Sequence, residues 1–110
     1  MEVARAVTKY IRISPRKARL AAGLIRGKPV DFATSQLMVS NLKGGRLMLK
    51  TLDSAVANAE VKGDVPRDKL KVLEVRVDCG PTMKRAKPKN KGGRHPILKR
   101  SSHFTIVVGE

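Results

Sequence analysis

Cysteine is almost absent from this chain. Cys79 stands alone, so no intramolecular disulfide can form and a reducing compartment is the simplest setting. There is no Trp, and the aromatics are Tyr10, Phe32 and Phe104. Two of the three fall at expected core or strand positions, which leaves no platform for stacking unpaired bases. Acidic residues are scarce as well: nine Asp and Glu face 24 Lys and Arg. His95 and His103 are isolated, and no cluster of carboxylates accompanies them, so no metal set assembles. No Ser/His/Asp or paired-carboxylate arrangement occurs either. An enzyme, a cofactor and a small-molecule substrate are therefore not expected. Long apolar runs are missing, which excludes a membrane-spanning helix. The first residues lack the uninterrupted apolar core of a signal peptide. A cytoplasmic protein with no membrane partner is expected.

What the chain has is positive charge, unevenly spread. The net charge is +15 and the isoelectric point about 10.9, which calls for a polyanionic partner. Residues 1–28 carry eight Lys or Arg against Glu2 alone. Residues 29–78 are nearly balanced, with eight against seven, and residues 79–110 again carry eight against Glu110 alone. The middle reads as an ordinary surface, and the two ends read as a binding face.

The most basic stretch is CGPTMKRAKPKNKGGRHPILKR, from Cys79 to Arg100. Lys84, Arg85, Lys87, Lys89, Lys91, Arg94, Lys99 and Arg100 have no acidic residue among them. Before it, Leu73, Val75, Val77 and Cys79 interleave with Glu74, Arg76 and Asp78; after it, Phe104, Ile106 and Val108 interleave with His103, Thr105 and Val107. Two half-buried strands joined by such a segment predict one long hairpin whose outer half leaves the core. At roughly 3.3 Å per residue, the path from Cys79 to Asn90 reaches about 35 Å. A two-stranded arm of this kind is marginal alone in water, so a polyanion must hold it. Gly92-Gly93 is expected to turn the backbone at the tip, with Pro88 and Pro96 discouraging edge pairing.

In chain order, residues 3–13 suggest a strand, with Val3, Val7, Ile11 and Ile13 as its apolar residues in an imperfect alternation. Ser14-Pro15 then opens a helix as N-cap and first helical residue. Ala18, Ala21, Ala22 and Ile25 form its stripe with Leu20 and Leu24 beside it, and Gly27 ends it. Asp31 is expected to cap a second helix from Phe32 to Ser40, with Phe32, Ala33, Leu37 and Met38 inward. Asn41 to Gly45 reads as a break, Gly44-Gly45 as turn glycines. A third helix from Arg46 to Val61 buries Met48, Leu52, Ala55, Val56 and Ala59. Gly63 to Pro66 is a loop, Cys79 a small core residue and His103 a hydrogen-bonding strand residue at the hairpin base. The fold class is α+β: three helices packed on a small three-stranded antiparallel sheet, with a long protruding basic β-hairpin. One domain is expected, its body formed by residues 1–78 and 101–110 and its arm by 79–100.

Abundant Lys and Arg with few aromatics favour phosphate neutralisation and shape over base reading. The expected contacts are Arg16, Lys17, Arg19 and Arg26 on the first helix, then Lys84, Arg85, Lys87, Lys89, Lys91, Arg94, Lys99 and Arg100 on the arm. A DNA-architectural protein whose arm enters a minor groove, with Pro88 as a wedge, is the alternative. A free-standing RNA chaperone and a disordered localisation tag are further readings.

Gly80-Pro81-Thr82-Met83-Lys84-Arg85, Lys91-Gly92 and the run from Ile97 to Val108 resemble the L-twenty-two family of bacterial large-subunit ribosomal proteins. Ser14 to Leu20, Leu24-Ile25-Arg26-Gly27 and Ser54 to Glu60 are similar to family motifs too. The resemblance runs through nearly the whole chain in order. It implies a structural protein that binds large-subunit ribosomal RNA beside neighbouring ribosomal proteins. Its tip (Pro88, Lys89, Asn90, Lys91, Gly92, Gly93, Arg94 and His95) would line the exit tunnel along the nascent peptide. Gly93 and Pro96 depart from the pattern, standing where many relatives carry arginine.

Overall fold

A computed structural model describes residues 2–63, 65–88 and 94–110, with the backbone alone described for Glu2 and for residues 83–88 and 94–98. Strand β1 (Glu2–Ile11) is followed by helices α1 (Pro15–Ile25), α2 (Val30–Val39) and α3 (Lys43–Lys62). A single 3-10 turn, Arg67–Lys69, leads into β2 (Lys71–Cys79), β3 (Met83–Pro88), β4 (Arg94–Lys99) and β5 (Ser102–Gly109). The main sheet has the order β1-β5-β2 and is antiparallel throughout. β3 and β4 form a separate ladder, from Met83 opposite Lys99 to Pro88 opposite Arg94. The expected α+β architecture and its hairpin are therefore present. The radius of gyration, 16.9 Å, exceeds the roughly 13 Å of a compact chain of this length, as an arm on a body requires.

β5 lies between the other two strands and is buried along almost its whole length. Phe104, Ile106 and Val108 face the helices and join a core with Ile25, Leu37, Met48, Leu52, Val72 and Val75. α3 crosses β1 and β5, α1 packs on β2 and α3, and α2 closes against the other two helices. The helical stripes follow the periodicity: Ala18, Ala21, Ala22 and Ile25 on α1, and Met48, Leu52, Ala55, Val56 and Ala59 on α3, are buried. Ser14 caps α1 through Lys17 N–H, at 3.4 Å. Gly27 follows the helix at φ +77° and its N–H bonds Val72 O at 2.9 Å. That bond stitches the helix exit to β2.

Several local expectations are corrected. The inward residues of β1 are Ala4 and Ala6, whereas Val7 is half exposed. Register shifts between Glu2 and Ala4 and between Thr8 and Ile11 break the alternation, because one extra residue flips every later side chain to the other face. A third shift between Val72 and Glu74 turns Leu73 outward. α2 starts at Val30 behind Pro29, so Asp31 lies inside the first turn rather than at the cap. The buried stripe is then Val30, Ala33 and Leu37, and Phe32 and Met38 point to solvent. Leu20 is exposed too, and so is Cys79, the last residue of β2. Pro88 and Pro96 are both paired positions of the β3–β4 ladder.

Gly44 and Gly45 form the first turn of α3 and are buried. A Cβ at Gly44 would stand 3.3 Å from Ala18 Cα and from Ile13 Cδ1. Gly44 therefore lets α3 approach α1 closely, and Gly45 seats it against Ser40 and the Leu37 carbonyl at the end of α2, instead of breaking the chain. At Gly23, in the interior of α1, an added Cβ would meet nothing within 4 Å. Gly44→Leu should overpack the helix contact and cost about 1–3 kcal/mol. Gly23→Ala should stabilise by about 0.5–1 kcal/mol through lower backbone entropy in the unfolded chain. Urea unfolding of the two variants checks both signs.

Candidate nucleic-acid interface

The edges of the main sheet are closed by polar side chains from the helices. On β2, Arg19 donates to Val77 O at 3.0 Å and Arg26 to Val75 O at 2.8 Å. On β1, Asn58 Nδ2 donates to Arg5 O at 3.0 Å, and Lys62 Nζ reaches Val3 O. Exposed edge carbonyls invite another strand, and these donors occupy them. Arg19 and Arg26 are thus tied to the fold through one guanidinium nitrogen each, with their remaining N–H groups available to meet an anion. Arg16 and Lys17 are exposed on the same helix.

At the root of the arm, a hollow of about 570 Å³ opens between the start of α1, the start of α3 and the end of β4. Arg12, Lys17, Lys43, Lys99 and Arg100 line it, with Ile13, Leu20 and Leu42 as its apolar part and no Asp or Glu. The first turns of α1 and α3 contain no acidic residue, and α3 has no side-chain cap. Two positive helix ends and five cations therefore share one groove, an arrangement that favours a phosphate. Lys43 Nζ donates to Arg12 O at 3.2 Å, which fixes that side of the groove. Arg12 and Lys43 are not among the sequence-predicted contacts. The signal for Lys43 is hidden because the glycines beside it read as a break.

The carboxylates sit elsewhere. Arg67 pairs with Asp31 at 3.1 Å and Glu60 at 3.5 Å, and Arg76 with Glu74 at 3.0 Å. Glu60 lies seventeen residues along α3 from Lys43, roughly 25 Å at 1.5 Å per residue. The helix thus separates an ion-paired end from a cationic one.

Two bonds carry the hairpin across the gap between the two sheets. Gly80 N–H donates to Ser101 O at 2.9 Å, and Ser101 Oγ donates to Pro81 O at 2.7 Å. A Cβ at Gly80 would collide with Ser101 Oγ, so any other residue there would push that hydroxyl off its bond to Pro81 O. Beyond it, Lys84, Arg85 and Lys87 belong to β3, and Arg94, His95 and Lys99 to β4. Pro88 and Arg94 are the last described pair. Of the expected tip, Pro88, Arg94 and His95 are thus strand residues. Lys89, Asn90, Lys91, Gly92 and Gly93, with the proposed glycine turn, lie outside the described residues.

A model of the family described as Ribosomal protein L22p/L17e matches residues 6–109. The chain belongs to that family. Among its relatives is the large ribosomal subunit protein uL22 of Protochlamydia amoebophila (strain UWE25), 71% identical over 108 residues, which are 98% of this chain and 97% of the relative. The protein of the same name from Chlamydia abortus (strain DSM 27085 / S26/3) is 61% identical over 106 residues, 96% of each chain. That of Chlamydia trachomatis serovar L2 (strain ATCC VR-902B / DSM 19102 / 434/Bu) is 58% identical, again over 96% of each.

For this L22p/L17e family member, the aromatic argument from composition needs correcting. Phe104 is fully buried, but Tyr10 is 65% exposed and Phe32 45% exposed. Lys28 Nζ lies 5.8 Å from the Phe32 ring centroid. His103 is confirmed as a hydrogen-bonding residue at the hairpin base, since its Nδ1 accepts from Tyr10 N–H at 3.0 Å. Among the described residues, no group of three or more His, Cys, Asp or Glu could hold a metal ion, and no helix is long and apolar enough to cross a membrane.

If about six phosphates are neutralised, log K for RNA should fall against log salt with a slope of roughly −4 to −5. Arg12→Gln should reduce that slope by about one while leaving the unfolding midpoint in place, and Lys43→Gln should reduce it equally with a small loss of stability from its bond to the Arg12 carbonyl. Arg26→Gln should behave differently, costing about 1 kcal/mol of stability through the lost bond to Val75. Salt titrations of RNA binding, paired with urea unfolding, separate the two roles. An unchanged slope for Arg12→Gln and Lys43→Gln would remove the groove from the interface.

Proposed function

We propose that this chain is a structural component of the large ribosomal subunit, without enzymatic activity, working in the cytoplasm as part of the ribosome. It binds large-subunit ribosomal RNA beside neighbouring ribosomal proteins. The observation that carries this reading is the acid-free groove at the arm root, in a chain that aligns over nearly its whole length with uL22 relatives. Phosphates bound at Arg12, Lys17, Lys43, Lys99 and Arg100 would hold the root. Arg16, Arg19 and Arg26 extend the contact along α1, and Lys84, Arg85, Lys87, Lys89, Lys91 and Arg94 extend it along the arm. Screening makes such contacts strong only when the charges are packed against the polyanion.

The tip has a separate role in this reading. Residues Pro88 to His95 would line the path of the nascent peptide, presenting a cationic, glycine-rich wall with little apolar area. Anchoring then falls mainly on the groove and arm strands and lining on the tip, with Lys89, Lys91 and Arg94 shared between the two. Deleting residues 89–93 should therefore leave large-subunit yield near normal and change the response to stalling peptides and to small molecules that occupy the tunnel. Subunit profiles and stalling assays on the same strain measure both. Blocked assembly would make the tip a structural anchor instead.

A further inference from the structure

Tyr10 has no part in the phosphate contacts above, yet its geometry is unusual. It is the one residue other than glycine with positive φ among the described residues, at +59°. Bulky side chains rarely adopt that region, and such strain is retained where the surroundings impose it. Tyr10 falls within the second register shift of β1, between Thr8 opposite Phe104 and Ile11 opposite Ser102. A bulge re-aims its side chain, and here the ring is sent outward, 65% exposed.

The ring is nevertheless held. Tyr10 N–H bonds His103 Nδ1 at 3.0 Å, and the two rings meet edge-on, centroids 5.0 Å apart and planes at 88°. Behind His103 stands Gly80, where a Cβ would come within 3.2 Å of His103 Cε1. The order across the sheet is thus Tyr10, His103, Gly80, set at the root of the arm. A T-shaped contact can cover at most one face of the tyrosine ring, and at 65% exposure most of the residue's surface meets solvent. Exposed Lys9 and Arg12 flank it in sequence, and Arg12 also lines the cationic groove.

We propose that Tyr10 is a stacking platform for an unpaired RNA base whose neighbouring phosphates enter the groove. The proposal rests on the RNA-binding reading and adds a contact that discriminates single-stranded from duplex RNA. A fixed aromatic face beside a cationic track is the combination by which proteins hold unpaired bases. The bulge orients the ring, His103 prevents it from folding onto the sheet, and Arg12 links it to the groove.

The chain supplies its own probe, because it has one Tyr and no Trp. Tyrosine emission from the full chain therefore reports Tyr10 alone. Titration with a short oligoadenylate should quench it saturably, whereas a blunt RNA duplex with the same number of phosphates should bind and leave it nearly unchanged. Tyr10→Phe should keep the oligoadenylate affinity. Tyr10→Asn suits the positive φ and should keep the body folded by circular dichroism and urea unfolding. It should weaken oligoadenylate binding about fivefold or more and leave duplex binding within error. Equal quenching by both RNAs, or an unaltered oligoadenylate affinity in Tyr10→Asn, overturns the stacking role while leaving phosphate binding standing. Failure of the unmodified chain to bind either RNA at low salt overturns both readings.

Discussion

The burial of β5 is the constraint on which the rest of the molecule depends. It is the central strand, paired on both sides, and the core converges on Phe104, Ile106 and Val108. The chain arrives at β5 directly from the arm, through Lys99, Arg100 and Ser101. A strand locked into the core thus fixes where and at what angle the cationic hairpin emerges. Gly80 and Ser101 transmit that geometry through two short bonds. No comparable apolar anchor is available to the arm itself, whose residues from 79 to 100 are mostly Lys, Arg, Gly and Pro.

A similar logic governs the charges. Like charges this dense oppose compaction, and the fold places them where the opposition is least. Arg19, Arg26, Lys62 and Lys43 direct donors to backbone carbonyls, and Arg67 and Arg76 answer carboxylates. The exposed ion pairs among these contribute little stability. The effect of the whole arrangement is to leave the cations at the arm root without acidic partners in the groove, facing outward. The structure is therefore arranged for a surface that is satisfied only by a polyanion.

Much of this is legible in the amino-acid order. The α1 and α3 stripes, the Ser14 cap, the Gly27 exit and the hairpin strands all follow from local rules that the tertiary structure respects. The departures have a common origin in pairwise geometry that local patterns do not carry. Bulges in β1 and β2 exchange inward and outward residues, so alternation alone puts Val7 and Leu73 on the wrong face. Gly44-Gly45 looks like a break because glycine usually is one, whereas its role is set by the approach of Ala18. Part of the groove is invisible for the same reason: Arg12 and Lys43 are far in sequence from each other and from Arg100, and only the packing of the body brings them together. Tyr10 reads as an ordinary strand residue, since nothing in a sequence announces a positive φ at tyrosine.

The central claim is that the cationic root and arm are partnered by large-subunit RNA. Sedimentation of the native protein through a gradient after a high-salt wash tests it most directly. If the proposed contacts form together, the protein should resist a wash that strips loosely held basic proteins. Recovery with large ribosomal subunits is the expected result. Recovery on chromosomal DNA, or release as free protein, would contradict it.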